Sequence, residues 1–313
     1  MPLALKVLLT FDCEDFINDR SISVLDNILQ LLRSYNLRGL FFLTGHIAEK
    51  LSSFPRLIDL VEKQEVGYHS SSHSVRPIIF EYADVKKFAD AIQISLERET
   101  RHINPLTGEL EEKAGLVFLR SLFPTKKIVS FRAPGFSYSP PHLEAMRRLG
   151  ITHDFSASLS LRPIYFKGIT FYPASVLVNA ARRLTYASVF KRFTTSHFAV
   201  LTFHPSYFVN AEDWDKIYYR GNPKSLQSVK PRSPQDTRSL LKRFEMLLRR
   251  LSFLERGGLS DNEPRLERGR EQVSFTKETV FKSYEKSARW ATRNFGCTPR
   301  FILDHYLEFF YPR

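Results

Sequence analysis

Four short stretches of this chain combine residue types that do chemistry. Asp12-Cys13-Glu14-Asp15 places three acids in four positions directly after an apolar run. Read alone, it is an acidic lead-in to the next helix, whose N-terminus favours carboxylates. His69-Ser70-Ser71-Ser72-His73 spaces two imidazoles four residues apart. On a helical turn they would face one way and could share a metal; otherwise they are two unrelated surface histidines. Phe131-Arg132-Ala133-Pro134-Gly135 brings a guanidinium able to clamp a carboxylate in front of a sharp turn. By itself that is an ordinary strand-to-loop turn. Leu201-Thr202-Phe203-His204-Pro205 ends an apolar run on a histidine that exchanges protons near neutral pH. Asp154, also at a strand end, could orient it, although either residue alone reads as a satisfied, partly buried polar group.

The elements around these stretches must bring them together. Lys6–Asp12, Arg38–Thr44, Val66–His69, Ile128–Arg132, Ile151–Phe155, Ile169–Pro173 and Phe198–His204 are short apolar runs, seven strand candidates in all. Between them, residues 22–35, 54–64, 83–101 and 140–149 carry helical spacing, and 103–113 holds turn residues followed by a helix start. Such strand–helix alternation predicts an α/β fold with a parallel sheet or barrel under covering helices. In a parallel barrel the strand C-termini converge on one rim, so residues far apart in sequence meet there. Residues 235–255 form an amphipathic helix, 256–272 are polar with Gly and Pro and read as a linker, and 275–294 predict one more helix before an aromatic end. Residues 174–193 are basic and amphipathic, fitting a covering helix or a segment lying on a membrane surface.

Composition removes several classes. The 313 residues are 43% hydrophobic and 25% charged, which excludes a disordered chain and leaves ample core, much of it from 27 Phe. Two cysteines are too few for a disulfide framework. The net charge of +13 is spread along the chain rather than gathered into a stripe with interleaved aromatics, so no nucleic-acid partner is expected. The N-terminal apolar run is short and ends in acids, unlike a secretory signal, and no uncharged run approaches a membrane span. The expectation is a cytoplasmic protein.

Taken together and in this order, the motifs resemble the polysaccharide deacetylase family, the carbohydrate esterases related to chitooligosaccharide and peptidoglycan deacetylases. The stretches that carry the resemblance are TFDCED (10–15), RGLFFLTG (38–45), GYHSSSH (67–73), FRAPG (131–135), THDFSAS (152–158) and VLTFHP (200–205), within residues 6–208. The resemblance implies a distorted (β/α)7-type barrel over residues 1–255, with 256–313 as a linker and a C-terminal helical, aromatic extension. It implies hydrolysis of an N-acetyl amide on an amino-sugar glycan, or on a lipid-linked glycan precursor, assisted by Zn²⁺ or another divalent transition metal. Asp12 falls on the family's general base, Arg132 on its partner, His204 on the general acid and Asp154 on the acid that supports it. His69 and His73 fall on the two metal histidines, and Pro134 and Gly135 on the loop that holds the oxyanion.

The chain also departs from the commonest form of the family. Cys13 stands where a second Asp is usual, and Asp12-Cys13-Glu14 looks like a sub-branch with Asp-x-Glu spacing. This points to Glu14 as the third ligand, with Asp15 and Cys13 as rivals. No Trp follows Asp154. Two other functions stay open on the same barrel: hydrolysis of a non-sugar or cyclic amide, and a catalytically silent binding or scaffold protein. Peripheral membrane contact and self-association through the aromatic end are further expectations.

Overall fold

Strand β1 (Lys6–Cys13) has two chemically different faces, and they set the layout of the molecule. Leu9, Phe11 and Cys13 point into the main apolar core under the helices, whereas Leu8 joins a separate cluster inside the curl of the sheet with Leu40, Phe42, Phe155, Tyr172 and Val200. The period of two along a strand therefore sends Leu8, Thr10 and Asp12 to the inside and their neighbours outward. This computed structural model describes residues 6–103, 110–111, 115–173, 176–177, 198–216, 227–254, 270–271 and 274–312.

The chain continues through α1 (Asp19–Ser34), β2 (Leu40–Leu43), α2 (Gly45–Leu51), α3 (Pro55–Glu62) and β3 (Glu65–Tyr68). Next come α4 (Ile79–Tyr82), α5 (Phe88–Thr100), a hairpin of β4 (His102–Ile103) with β5 (Leu110–Glu111), α6 (Gly115–Leu122) and β6 (Ser130–Phe131). A single 3-10 turn (Pro134–Phe136), α7 (Pro140–Arg148) and β7 (His153–Asp154) lead to β8 (Ile164–Phe166), β9 (Ile169–Phe171), β10 (Val176–Leu177) and β11 (Phe198–Phe203). The remainder is α8 (Ser206–Val209), α9 (Pro234–Leu254), β12 (Arg270–Glu271), α10 (Lys277–Phe295) and α11 (Ile302–Phe310).

One sheet runs in the order β10-β11-β1-β2-β3-β6-β7-β9-β8-β12. Its pairs are parallel except β8 with β9. The two end strands, β10 and β12, do not pair with each other, so the sheet is a curled, open barrel of distorted (β/α) type. Helix α1 buries Ile22, Leu25, Ile28, Leu29 and Leu32 as one stripe, the spacing that covers a sheet face. Phe11 stacks on Phe41 at 4.5 Å and on Phe203 at 5.3 Å, and meets Phe244 of α9 edge-on at 6.1 Å. This aromatic cluster fastens the central strands to the long helix.

Several expectations change. The helix predicted over 83–101 forms only from Phe88, as α5; residues 83–87 are not helical and separate it from the short α4, which precedes the predicted range. Between them Asp84 leaves the helical path and accepts the N–H groups of Arg300 (2.7 Å) and Phe301 (2.6 Å). The helix start expected within 103–113 is instead the β4–β5 hairpin, because Asn104, Pro105 and Gly108 fall between its strands; residues 104–109 and 112–114 lie outside the described residues. Strand β8 was not read from the sequence: Tyr165 and Phe166 are half-buried and pair antiparallel at the sheet's far side. The basic segment 174–193 lies outside the described residues except for β10, and so does the linker 256–272 except for β12. Helices α10 and α11 pack beside the 134–148 region. Tyr138 Oη lies 2.8 Å from Ser283 Oγ, and Tyr306 Oη donates to the Tyr138 carbonyl at 2.8 Å. Among the described residues no helix is long and apolar enough to cross a membrane.

Candidate active site

Register explains which side chains meet at the barrel's rim. Thr10 pairs with Thr202, so Asp12 and His204 emerge side by side from the inward faces of β1 and β11. Tyr68 pairs with Phe131, and both face outward, so His69 and Arg132, one residue further along, turn inward together. The distances follow. Arg132 Nη1 donates to Asp12 Oδ1 at 2.5 Å and to Thr10 Oγ1 at 3.0 Å, and His204 Nε2 lies 3.7 Å from Asp12 Oδ2. The guanidinium is 0% exposed and lies 4.4 Å above the ring of Phe42. Burial pulls its pKa down against the opposing effect of Asp12.

Beside this pair, Glu14, His69 and His73 form a buried group whose ligand atoms all lie within 4.8 Å of one another. Glu14 Oε2 is 2.7 Å from His73 Nε2 and 3.3 Å from His69 Nε2. His69 Nδ1 sits 2.7 Å from the Arg132 carbonyl, which can only accept, so that nitrogen donates and Nε2 is the atom that faces the group. Burial alone would raise the Glu14 carboxyl. The imidazoles of His73, His204 and His69 outweigh it and hold Glu14 well below the usual carboxylate range. His73 is pushed the other way by burial, yet Glu14 raises its pKa. One carboxylate and two imidazoles facing inward form a set that could hold a divalent metal while leaving a coordination position open.

The rivals of Glu14 are occupied elsewhere. Asp15 accepts from the N–H groups of Ile17 and Asn18 (both 3.1 Å), from Ser21 Oγ (2.5 Å) and from Asn210 Nδ2 (2.8 Å), which ties the loop to α1. Cys13 pairs with Leu43 on the outward face, where burial and the charges of Asp12 and Glu14 push its thiol well up and keep it protonated.

Two geometric expectations are corrected. The histidines do not lie on a helical turn. His69 continues β3, and the chain then folds back through Ser70 (φ 65°) and His73 (φ 50°), both in the left-handed region. Such strain persists only where surroundings over-determine it. Here the Gly45 N–H donates to the Ser70 carbonyl at 3.1 Å, and the Ser71 N–H donates to the buried Glu99 carboxylate at 3.2 Å. Glu99 also accepts from Tyr68, from Tyr82 (2.8 Å) and from His142 Nε2 (2.8 Å).

Asp154, the second correction, does not reach His204. It pairs with Phe131 and Phe171 on the outward face, and Phe155 takes the inward position. Its oxygens accept from the N–H groups of Ser156 (3.0 Å) and Ala157 (2.8 Å) and from Ser156 Oγ (2.8 Å). Burial pushes Asp154 up to about 6. A carboxyl whose folded pKa exceeds its unfolded value of about 3.9 stabilises the fold below pH ~4 and loses that contribution as pH rises towards 6. Asn at this position stays neutral throughout. The stability of Asp154→Asn relative to the parent protein is therefore expected to rise by roughly 2–3 kcal/mol between pH 4 and pH 7. Urea unfolding at the two pH values measures the difference, and a pH-independent difference contradicts it.

Pro134 and Gly135 form the 3-10 turn after Arg132, and Gly135 has φ 58°. A Cβ at Gly135 would meet the ring of Trp290, from α10, at 2.3–2.4 Å. Gly135→Ala is thus expected to cost about 1–3 kcal/mol by overpacking, read as a lowered Tm, because the indole must leave its seat. An unchanged Tm would show that the turn tolerates the methyl group.

The sequence reading missed the aromatic wall. The chain has two Trp, and both reach His73: Trp214 at 5.5 Å and Trp290 at 6.3 Å between ring centres. Neither lies in a motif. The only available signal was the scarcity of the residue.

No family model matches the sequence, and a search of curated proteins found no match. Solved structures do match. A proposed polysaccharide deacetylase from Mycobacterium smegmatis superposes with a TM-score of 0.54 at 11% identity, covering 88% of this chain and 96% of that one. A peptidoglycan deacetylase from Bacillus subtilis matches at TM-score 0.42 and 12% identity over 94% and 98% of the two chains. A family 4 carbohydrate esterase from Streptomyces lividans, in complex with acetate, matches at 0.40 and 14% over 79% and 90%. At such identities the first likeness establishes the fold.

Proposed function

We propose that the protein is a metal-dependent hydrolase that removes N-acetyl groups from an amino-sugar glycan or glycan precursor. The observation that supports this most directly is the placement of the Glu14–His69–His73 group beside the Arg132–Asp12 pair and His204 on one barrel rim. The fold, shared with a proposed polysaccharide deacetylase, agrees with it.

Glu14, His69 and His73 would hold the ion, with zinc the first candidate for a donor set of two imidazoles and a carboxylate. Bound there, such an ion polarises a carbonyl and makes water acidic enough to lose a proton near neutral pH. Arg132 holds Asp12 through Oδ1, which leaves Oδ2 to accept the proton of the attacking water. We assign the Gly135 N–H to the developing oxyanion. His204 donates a proton to the amine nitrogen as its bond to the acyl carbon breaks, so acetate and a free amine leave.

The test is elemental analysis of the purified protein, followed by product analysis on N-acetylglucosamine oligomers and on cyclic imides. About one transition metal per chain, with acetate released from the oligomers and suppressed by a chelator, is the expected result. Turnover of the imides alone moves the substrate to a cyclic amide. Absence of metal after zinc reconstitution overturns the hydrolase reading and leaves a scaffold.

A further inference from the structure

The segment after α8 touches two of the three residues proposed to hold the ion, yet it belongs to none of the motifs that suggested them. Asn210 anchors it: its Nδ2 donates to Asp15 Oδ2 at 2.8 Å, and its Oδ1 accepts from Arg20 Nε at 2.5 Å. Four residues later Trp214, 1% exposed, fills the gap between the loop that follows Glu14 and the loop that follows His73. Its ring meets Phe16 at 5.7 Å and His73 at 5.5 Å, and it shares a small apolar cluster with Val75. Trp214 Nε1 donates to Glu14 Oε1 at 2.9 Å. The neighbouring Asp215 brings Oδ2 to 3.7 Å from His73 Nδ1, which also lies 3.0 Å from Ser74 Oγ.

An indole N–H is a donor only, so its single hydrogen bond commits one carboxylate oxygen. The other oxygen, Glu14 Oε2, is the one that faces both Nε2 atoms. We infer that Trp214 and Asp215 are positioning residues that orient Glu14 and His73 for the metal, with Trp214 restricting Glu14 to ligation through Oε2 alone. The inference rests on the metal reading of that site. Three single-atom donors then remain, which keeps a position open for water or substrate. Outer partners of this kind typically change metal affinity 10–100-fold when removed.

Trp214→Phe keeps an aromatic ring in the wedge and deletes the donor. Metal-free wild-type and variant proteins are titrated with Zn²⁺ against a chromogenic chelator, and each is loaded with Co²⁺ for its visible spectrum. The expected result is a zinc Kd raised 10–100-fold in Trp214→Phe, with weaker cobalt bands as the freed Oε1 joins the coordination sphere. Asp215→Asn is expected to raise the Kd as well, by a smaller factor. Wild-type binding with an unchanged Kd and cobalt spectrum in Trp214→Phe overturns the positioning role while leaving the metal site standing. Failure of the wild type to bind zinc overturns both.

Should Trp214→Phe not fold, Trp290→Phe leaves Trp214 as the only indole in the chain. Zinc should then change its emission up to one equivalent, because its acceptor becomes a ligand. An emission indifferent to saturating zinc overturns the inference.

Discussion

Asp12→Asn is expected to lower kcat on an N-acetylated amino-sugar oligomer by about 10²–10⁴-fold, the range lost with a general base. The substitution is nearly isosteric, and the amide oxygen can still accept from Arg132 Nη1, which now meets Oδ1 at 2.5 Å. What disappears is the ability to take a proton at the second atom, 3.7 Å from His204 Nε2. Asp12 stands outside the Glu14–His69–His73 group, so metal content should stay at the wild-type level and KM should move little. His204→Ala should cost a similar factor, and the double variant far less than the product of the two, because groups that act as a unit are not additive. Asp12→Asn retaining more than about a tenth of wild-type kcat removes it from the role of base.

The legible part of this site is the part fixed by strand parity and strand ends. Thr10 and Asp12, Thr202 and His204, and Ser130 and Arg132 each lie two apart along a strand, so an apolar run that ends on a polar residue already says which groups share the rim. Parity also decides Asp154. It stands one residue before Phe155, and the register gives the inner position to Phe155. The sequence offers no register, so a strand-end acid looked equivalent to any other. The HSSSH loop was readable as a metal motif for a geometric reason that does not apply. Its closure depends on left-handed Ser70 and His73, and on a carboxylate, Glu99, contributed by α5. Trp214 and Trp290 come from segments with no local signature. Only the folded chain carries Trp290 of α10 onto Gly135, after more than a hundred intervening residues.

Arg132→Met separates the stabilising role of the rim from its chemical one. The guanidinium is fully buried, donates to Asp12 and Thr10, and lies over Phe42. Met keeps an unbranched apolar stem, though a shorter one, and leaves the Asp12 carboxylate buried without its cation. Breaking one side of a buried pair costs about 3–5 kcal/mol, so the variant should melt well below the wild type and lose activity. Replacing both partners by apolar residues is often neutral. Asp12→Leu combined with Arg132→Met should therefore recover much of the lost Tm while activity stays absent. If the double variant melts no higher than Arg132→Met alone, the destabilisation comes from lost packing around Phe42 rather than from an unpaired charge. If Arg132→Met keeps wild-type Tm and kcat, the pair contributes neither stability nor orientation. Recovery of stability without activity would show that an apolar pair could fill this rim, and that the ion pair at Asp12 is maintained for proton transfer at the cost of a buried charge.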